Sequence, residues 1–127
     1  MNLDFIHSFL TTSYWANGIS KELVARSIQH SLCFGIFTSS NQQCGFARVI
    51  TDFATFAYLA DVFVITEHRD KGLSKWLIQT IVDDPKLQGV SNFLLATKDA
   101  HSLYEKYQFK PLLNPQWYLK MRKENSV

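Results

Sequence analysis

The stretch Val64-Ile65-Thr66-Glu67-His68-Arg69-Asp70-Lys71-Gly72-Leu73-Ser74 decides how this chain is read. An apolar strand ends where it starts, a short basic turn follows, and an amphipathic helix opens at its far end. The first turn of a helix carries backbone N–H groups with no intrahelical partner and the positive end of the helix dipole. An anion suits such a junction, above all a phosphate or pyrophosphate.

Working outward, Leu73, Trp76, Leu77 and Ile81 share one face of a predicted helix over residues 73–83, which Asp84-Pro85 stops. Residues 55–65 read as a long apolar strand and 90–97 as the next one, so the unit is a right-handed βαβ crossover. Ligands of open α/β sheets favour the carboxyl ends of such strands, where the basic turn lies. Upstream, Ser20 caps a helix running to about Gln29 or His30, with Ile19 stapled against Val24. Strands at 32–37 and 45–50 flank the polar turn 38–42 and form a hairpin. Asp99 caps a helix to about Tyr107, residues 116–121 form a last strand, and the tail 122–127 frays. The expected fold is a mixed α/β class, with a central sheet of antiparallel and parallel strands flanked by helices. Without repeat or linker, residues 1–127 are expected to be one domain.

Composition narrows the function classes. A hydrophobic fraction of 46% and aromatic fraction of 14% describe a chain that folds. Thirteen basic against eleven acidic residues leave a net charge of +2, too little for a nucleic-acid field. The start of the chain lacks the basic and apolar regions of a signal peptide. The longest apolar run, 53–65, is broken by Asp61 and is too short to span a bilayer. Cys33 and Cys44 lack CxxC spacing, and His7, His30, His68 and His101 are scattered, so neither disulfide nor metal site is expected. A cytoplasmic location follows, with no membrane and no nucleic-acid partner.

The pattern Val64-x-x-x-x-Arg69-x-x-Gly72-x-Ser74 resembles the acyl-coenzyme A signature of the GNAT acetyltransferases, Val-x-x-x-x-(Arg/Gln)-x-x-Gly-x-(Gly/Ala). Leu103-Tyr104-Glu105-Lys106-Tyr107-Gln108-Phe109 is similar to that family's Leu-Tyr-Glu-Lys-x-Gly-Phe helix end. The two motifs cover roughly residues 60–110 and stand one helix and one strand apart, as in the family. Three positions depart from it: Ser74 for a small Gly or Ala, Asp70 for a common Gly, and Gln108 for the glycine ending the last helix. Gln108 would occupy a left-handed cap at a cost of about 1 kcal/mol.

The resemblance implies an N-acetyltransferase that passes an acetyl group directly from acetyl-coenzyme A, through a tetrahedral intermediate, to a small-molecule or peptide amine. It implies that the backbone of Phe63 and Val64 binds the pantetheine arm and that the N–H groups of Arg69, Asp70, Lys71, Gly72, Leu73 and Ser74 hold the pyrophosphate. Tyr104 matches the family's proton donor to the leaving thiolate. A phenol is protonated at neutral pH, and a leaving thiolate is basic enough to take its proton.

Asp61 stands out on physical grounds alone, as the one charged side chain between Asp52 and Glu67. It reads as the general base, as an anchor for an ammonium group, or as a hydrogen-bonded aspartate at a strand irregularity. His101, one turn before Tyr104, reads as a proton relay or as a polar residue of the first helical turn. Arg48 could pair with Asp52, Asp61 or an acidic group of the substrate, or snorkel to the sheet edge. Tyr14, Trp15, Phe34 and Phe56 could wall an acceptor pocket or belong to the core. A non-catalytic acyl-coenzyme A sensor or interaction module is the alternative function, and the chain is expected to be a monomer or homodimer.

Overall fold

In the computed structural model, which describes residues 1–123, the hairpin comes out as β1 (Leu32–Phe37) and β2 (Gln43–Thr51), paired antiparallel. Before it stand α1 (Leu3–Leu10) and α2 (Lys21–Gln29). After it come β3 (Ala57–Val64), α3 (Leu73–Val82), β4 (Phe93–Leu94) and α4 (His101–Glu105). The sheet has order β1-β2-β3-β4, with β2 and β3 antiparallel and β3 and β4 parallel. The mixed sheet between helices is the expected class.

Local chemistry explains the elements that match. Ser20 accepts from the Leu23 N–H at 3.2 Å and starts α2, and Ile19 packs with buried Val24 in one cluster. Asp52 organises the turn between β2 and β3, accepting from the N–H groups of Ala54 and Thr55 and from the Thr55 hydroxyl. Those donors hold its carboxyl well below the usual carboxylate range.

Four expectations are corrected. The helix expected from Asp99 starts only at His101, because the Thr97 hydroxyl, not Asp99, accepts from the Ala100 N–H. The strand expected over 90–97 shrinks to Phe93–Leu94, because the chain beyond parts from β3. Trp76 is 60% exposed; the buried stripe of α3 runs through Leu77, Ile78 and Ile81, and Trp76 lies on its flank. Residues 116–121 form no strand: a 3-10 turn at Pro115–Trp117 is followed by extended chain without a strand partner among the described residues. The expected fraying of the tail concerns residues that for the most part lie outside those described. Helix α1 was not foreseen, although Asn2 caps it by accepting from Phe5 and Ile6 and Leu10 recur at helical spacing.

Helices cover the two faces of the sheet, and one extra residue in β3 sorts side chains between them. Phe46 pairs with Phe63 and Arg48 with Ala60, so Ala47 alone faces both Asp61 and Val62. Before this bulge, Ala57 and Leu59 point into the cluster under α3; after it, Val62 and Val64 do. The parity change sends Phe63 to the opposite layer, where it joins Ile6, Leu10, Val24 and Phe46 and stacks on Phe9 at 3.8 Å.

Gln108 ends α4 with φ +72°, and the Phe109 N–H returns to the Tyr104 carbonyl at 3.3 Å. The left-handed cap is thus filled by a residue with a Cβ. Gln108→Gly should raise the unfolding free energy by about 0.5–1 kcal/mol in urea denaturation; a loss of stability would refute the cap.

Candidate active site

β3 and β4 pair at Ala57 with Phe93 and at Tyr58 with Leu94, and then diverge. Asp61, held at φ +55°, bends β3 at the bulge. The resulting cleft measures about 1190 Å³ and is bounded by residues 60–64 on one side and 95–97 on the other. Tyr104 of α4 borders it, Tyr14 and Trp15 reach it from the loop after α1, and Arg69 and Ser74 lie along it.

Among the described residues, the β3 edge facing this cleft carries backbone groups with no strand opposite. The Ile65 N–H donates to the Cys44 carbonyl of β2 at 2.9 Å, so by strand alternation the backbone of Val64 faces the cleft. Its carbonyl accepts from Arg69 Nε at 2.9 Å, which ties the basic turn to the strand end. Phe63 directs its backbone at Phe46, its register partner on β2. The amide exposed alongside Val64 is therefore that of Val62, which sequence reasoning missed because the bulge shifts the alternation.

Beyond the strand the chain makes two left-handed turns, at Asp70 (φ +64°) and Gly72 (φ +75°), before α3 begins. The Asp70 position thus has the conformation for which glycine is best suited, and aspartate tolerates it better than most residues. No side chain caps α3. Its first backbone bond runs from the Trp76 N–H to the Gly72 carbonyl at 3.0 Å, so the N–H groups of Leu73, Ser74 and Lys75 have no partner in the preceding turn. A Cβ on Gly72 would meet nothing within 4 Å, so there is open space for an anion to approach. Lys71 Nζ lies 3.3 Å from His68 Nδ1 beside this space. Asp70 is exposed, and Leu73 packs against the core.

Asp61 lies in the middle of the cleft wall. One carboxylate oxygen pairs with Arg48 Nε at 2.9 Å and the other accepts from Trp15 Nε1 at 2.8 Å. Arg48 also donates to the Ser31 hydroxyl at 3.2 Å. Of the pairings open to Arg48, the structure selects Asp61, at the strand irregularity. Tyr104 is buried, and burial, reinforced by Tyr14, pushes its phenol up to about 12. Lys98 Nζ sits 5.3 Å above the Tyr14 ring at the rim.

Three expected pocket residues lie elsewhere. Phe34 packs against the core cluster under α3. Phe56 belongs to the Asp52 turn, where its carbonyl accepts from Thr51. A ring nitrogen of His101 is 3.0 Å from the Thr97 carbonyl, and the residue borders a separate groove. Cys33 and Cys44 are free thiols, and burial pushes both upward. Among the described residues no helix is long and apolar enough to cross a membrane, and no cluster of His, Cys, Asp and Glu could hold a metal ion.

Arg48 and Asp61 are both mostly buried. Arg48→Ala or Asp61→Ala should therefore each cost about 3 kcal/mol, by leaving the other charge uncompensated. The double variant should cost less than the sum by at least about 1 kcal/mol in urea denaturation. Strictly additive losses would show that the two do not act as a unit.

The family model described as an acetyltransferase (GNAT) domain matches residues 29–111. A crystal structure of a candidate GNAT acetyltransferase from Xanthomonas campestris pv. campestris superposes with a TM-score of 0.92 at 48% identity, covering 97% of this chain and 87% of that one. A candidate acetyltransferase of Gibberella zeae is 27% identical over 84% of this chain and 71% of its own length. At 14% identity, a Clostridium acetobutylicum acetyltransferase solved with acetyl-CoA shares the fold, with a TM-score of 0.70 over 94% of this chain and 89% of that one. With its splayed strands and uncapped helix end, and with a family match over most of its length, this chain belongs to the GNAT family of acetyltransferases.

Proposed function

We propose that the protein transfers an acetyl group directly from acetyl-coenzyme A to the primary amine of a small molecule or peptide. The observation that carries this reading is the continuity of the cleft. A bare β3 edge at Val62 and Val64 runs from Asp61 and Tyr104 toward the uncapped start of α3. The related fold solved with acetyl-CoA supports the choice of donor.

The residues present fit such a donor. The amides of Val62 and Val64 can bind an amide-bearing arm as an added strand would. The N–H groups at the start of α3, together with Lys71, can hold a diphosphate. The donor supplies the activated thioester; the chain supplies alignment and proton control.

In the transfer, a C–N bond forms, the C–S bond breaks, the sulfur leaves as thiolate and the amine nitrogen gives up a proton. Tyr104 keeps its own proton throughout the physiological range, since its phenol lies near 12. An ordinary thiol, near 8.5, is roughly a thousandfold stronger acid. Tyr104 therefore acts first as a hydrogen-bond donor to sulfur as negative charge gathers there, and complete transfer comes second. Asp61 serves as an anchor: taking a proton would break its pair with Arg48, whereas a spare lone pair can hold an incoming ammonium group. The ammonium first loses one proton to water, which frees the lone pair that attacks the thioester; the nitrogen gives up a second proton as the C–N bond forms, and the departing sulfur ends protonated, as the thiol.

Thiol release from acetyl-coenzyme A across a panel of small amines and peptides tests the reading. A ligand-induced rise in melting temperature without turnover on any amine would favour the sensor alternative. Tyr104→Phe should lower kcat at least about a hundredfold and leave coenzyme affinity within about twofold. Because the phenol is held near 12, the wild-type rate should show no loss from its ionisation below about pH 10. In an ultraviolet pH titration, the ionisation of the buried Tyr104 phenol should appear as a late step near 12, and Tyr104→Phe should remove it.

Asp70→Gly should tighten coenzyme A binding severalfold at low ionic strength, by removing a negative charge beside the diphosphate. The gain should shrink at high salt. Equal affinities at low salt would place the diphosphate elsewhere.

A further inference from the structure

The loop after α1 brings two aromatic rings to the cleft wall, and each ring is tied to a charge. Trp15 Nε1 donates to Asp61 at 2.8 Å. The Tyr14 ring meets the Trp15 ring edge to face, with centroids 5.1 Å apart. Lys98 Nζ lies 5.3 Å from the centre of the Tyr14 ring. A carboxylate thus stands at one end of the aromatic pair and an ammonium at the other. Both rings stay open, Tyr14 at 59% and Trp15 at 43% exposure, so their apolar faces are available to a ligand.

The charges on the cleft wall are unevenly paired. Asp61 is engaged by Arg48, which also donates to Ser31, and Arg69 is tied to the Val64 carbonyl. Lys98 and Lys120 are the other cations of the lining, and neither has a carboxylate within ion-pair distance among the described residues. The remaining acidic residue of the lining is Asp99, which is exposed. Two lysines against one aspartate leave one net positive charge. A monoanionic carboxylate complements that charge, and a second ammonium is repelled by it.

We propose that the acceptor is a small zwitterion, a primary amine joined through a spacer of several methylenes to a carboxylate, with an ω-amino acid as the simplest case. The assignment rests on the acetyl-transfer reading, in which Asp61 anchors the ammonium group. The apolar spacer then runs along Trp15 and Tyr14, and the carboxylate meets Lys98, with Lys120 adding to the field. An α-amino acid joins its amine and carboxylate through a single carbon, too short to span the two-ring platform. A diamine brings its second ammonium against Lys98, and a neutral amine forgoes the ion pair. Lys98 packs on Tyr14 and not on the turn that would take the diphosphate, so its charge serves the acceptor.

Thiol release from acetyl-coenzyme A with 6-aminohexanoate, its amide, 1,6-diaminohexane and glycine tests the assignment, alongside calorimetric binding of the same compounds to the coenzyme A complex. kcat/KM for 6-aminohexanoate should exceed that for the amide about fivefold, the scale of one solvent-facing ion pair. Its lead over the diamine and glycine should be larger, and binding should follow the same order. Lys98→Glu should reverse that order in favour of the diamine, with the change falling mainly on KM. Equal use of acid, amide and diamine, or a preference for the acid that survives in Lys98→Glu, would overturn the zwitterion and leave acetyl transfer standing. No turnover with the ranked binding and its reversal intact would count against acetyl transfer and support the zwitterion site. Unranked binding would overturn the site whether or not turnover is seen.

Discussion

The ion pair between Arg48 and Asp61 stands where β3 takes in its additional residue, and the rest of the site follows from it. Asp61 occupies a left-handed conformation that costs a residue with a Cβ of order 1 kcal/mol or more. A guanidinium on the neighbouring strand and an indole from the loop after α1 offset that cost by holding both carboxylate oxygens. With the bulge locked, β3 turns away from β4 and the sheet opens into a cleft. The same residue shifts the strand's parity, so that Phe63 reaches the α1 and α2 layer while Val64 stays over α3. One local irregularity thus creates the opening and keeps two cores filled.

The basic turn extends this logic to its far end. Arg69 does not point outward as a free cation; it donates to the Val64 carbonyl and fastens the turn to the strand. The charge offered to an anion therefore comes mostly from backbone N–H groups at the start of α3, with Lys71 beside them. Asp70 and Gln108, the two departures that replace glycines of the family motifs, share one explanation. Both sit at positive φ, so each marks a backbone position that glycine fills at least cost, and neither removes a group that the chemistry uses.

The outer edge of the sheet presents the opposite problem. Natural sheets protect their edges by pairing, covering or charging them. Here β4 pairs over two residues with β3, and among the described residues no strand lies on its other side, which borders a groove of mixed polar and apolar lining. The chain meanwhile carries a strand-patterned segment that the body leaves in water.

Much of this was legible in the residues themselves. Ser20 as a cap, the strand at 32–37, the hairpin, the helix after Gly72 and the left-handed cap at Gln108 all rest on chemistry within a few residues of one another. The pairing of Arg48 with Asp61 was only one of several possibilities, because it joins strands and depends on register. Phe34 and Phe56 looked as eligible for a pocket as Trp15, since an aromatic residue carries no mark of which face it will join. The exposure of the Val62 amide could not be read at all, because it depends on a bulge that shifts alternation only once β2 lies alongside. Residues 116–121 have the pattern of a strand and still form none within the described chain, for a pattern states readiness to pair and not the presence of a partner. The Ser20 cap, the hairpin, the basic turn and the helix after Gly72 could be read from neighbouring residues, because each is local. Only the tertiary structure decided where the sheet opens, which backbone groups face the opening and which edge is left bare, because each depends on which strands lie side by side.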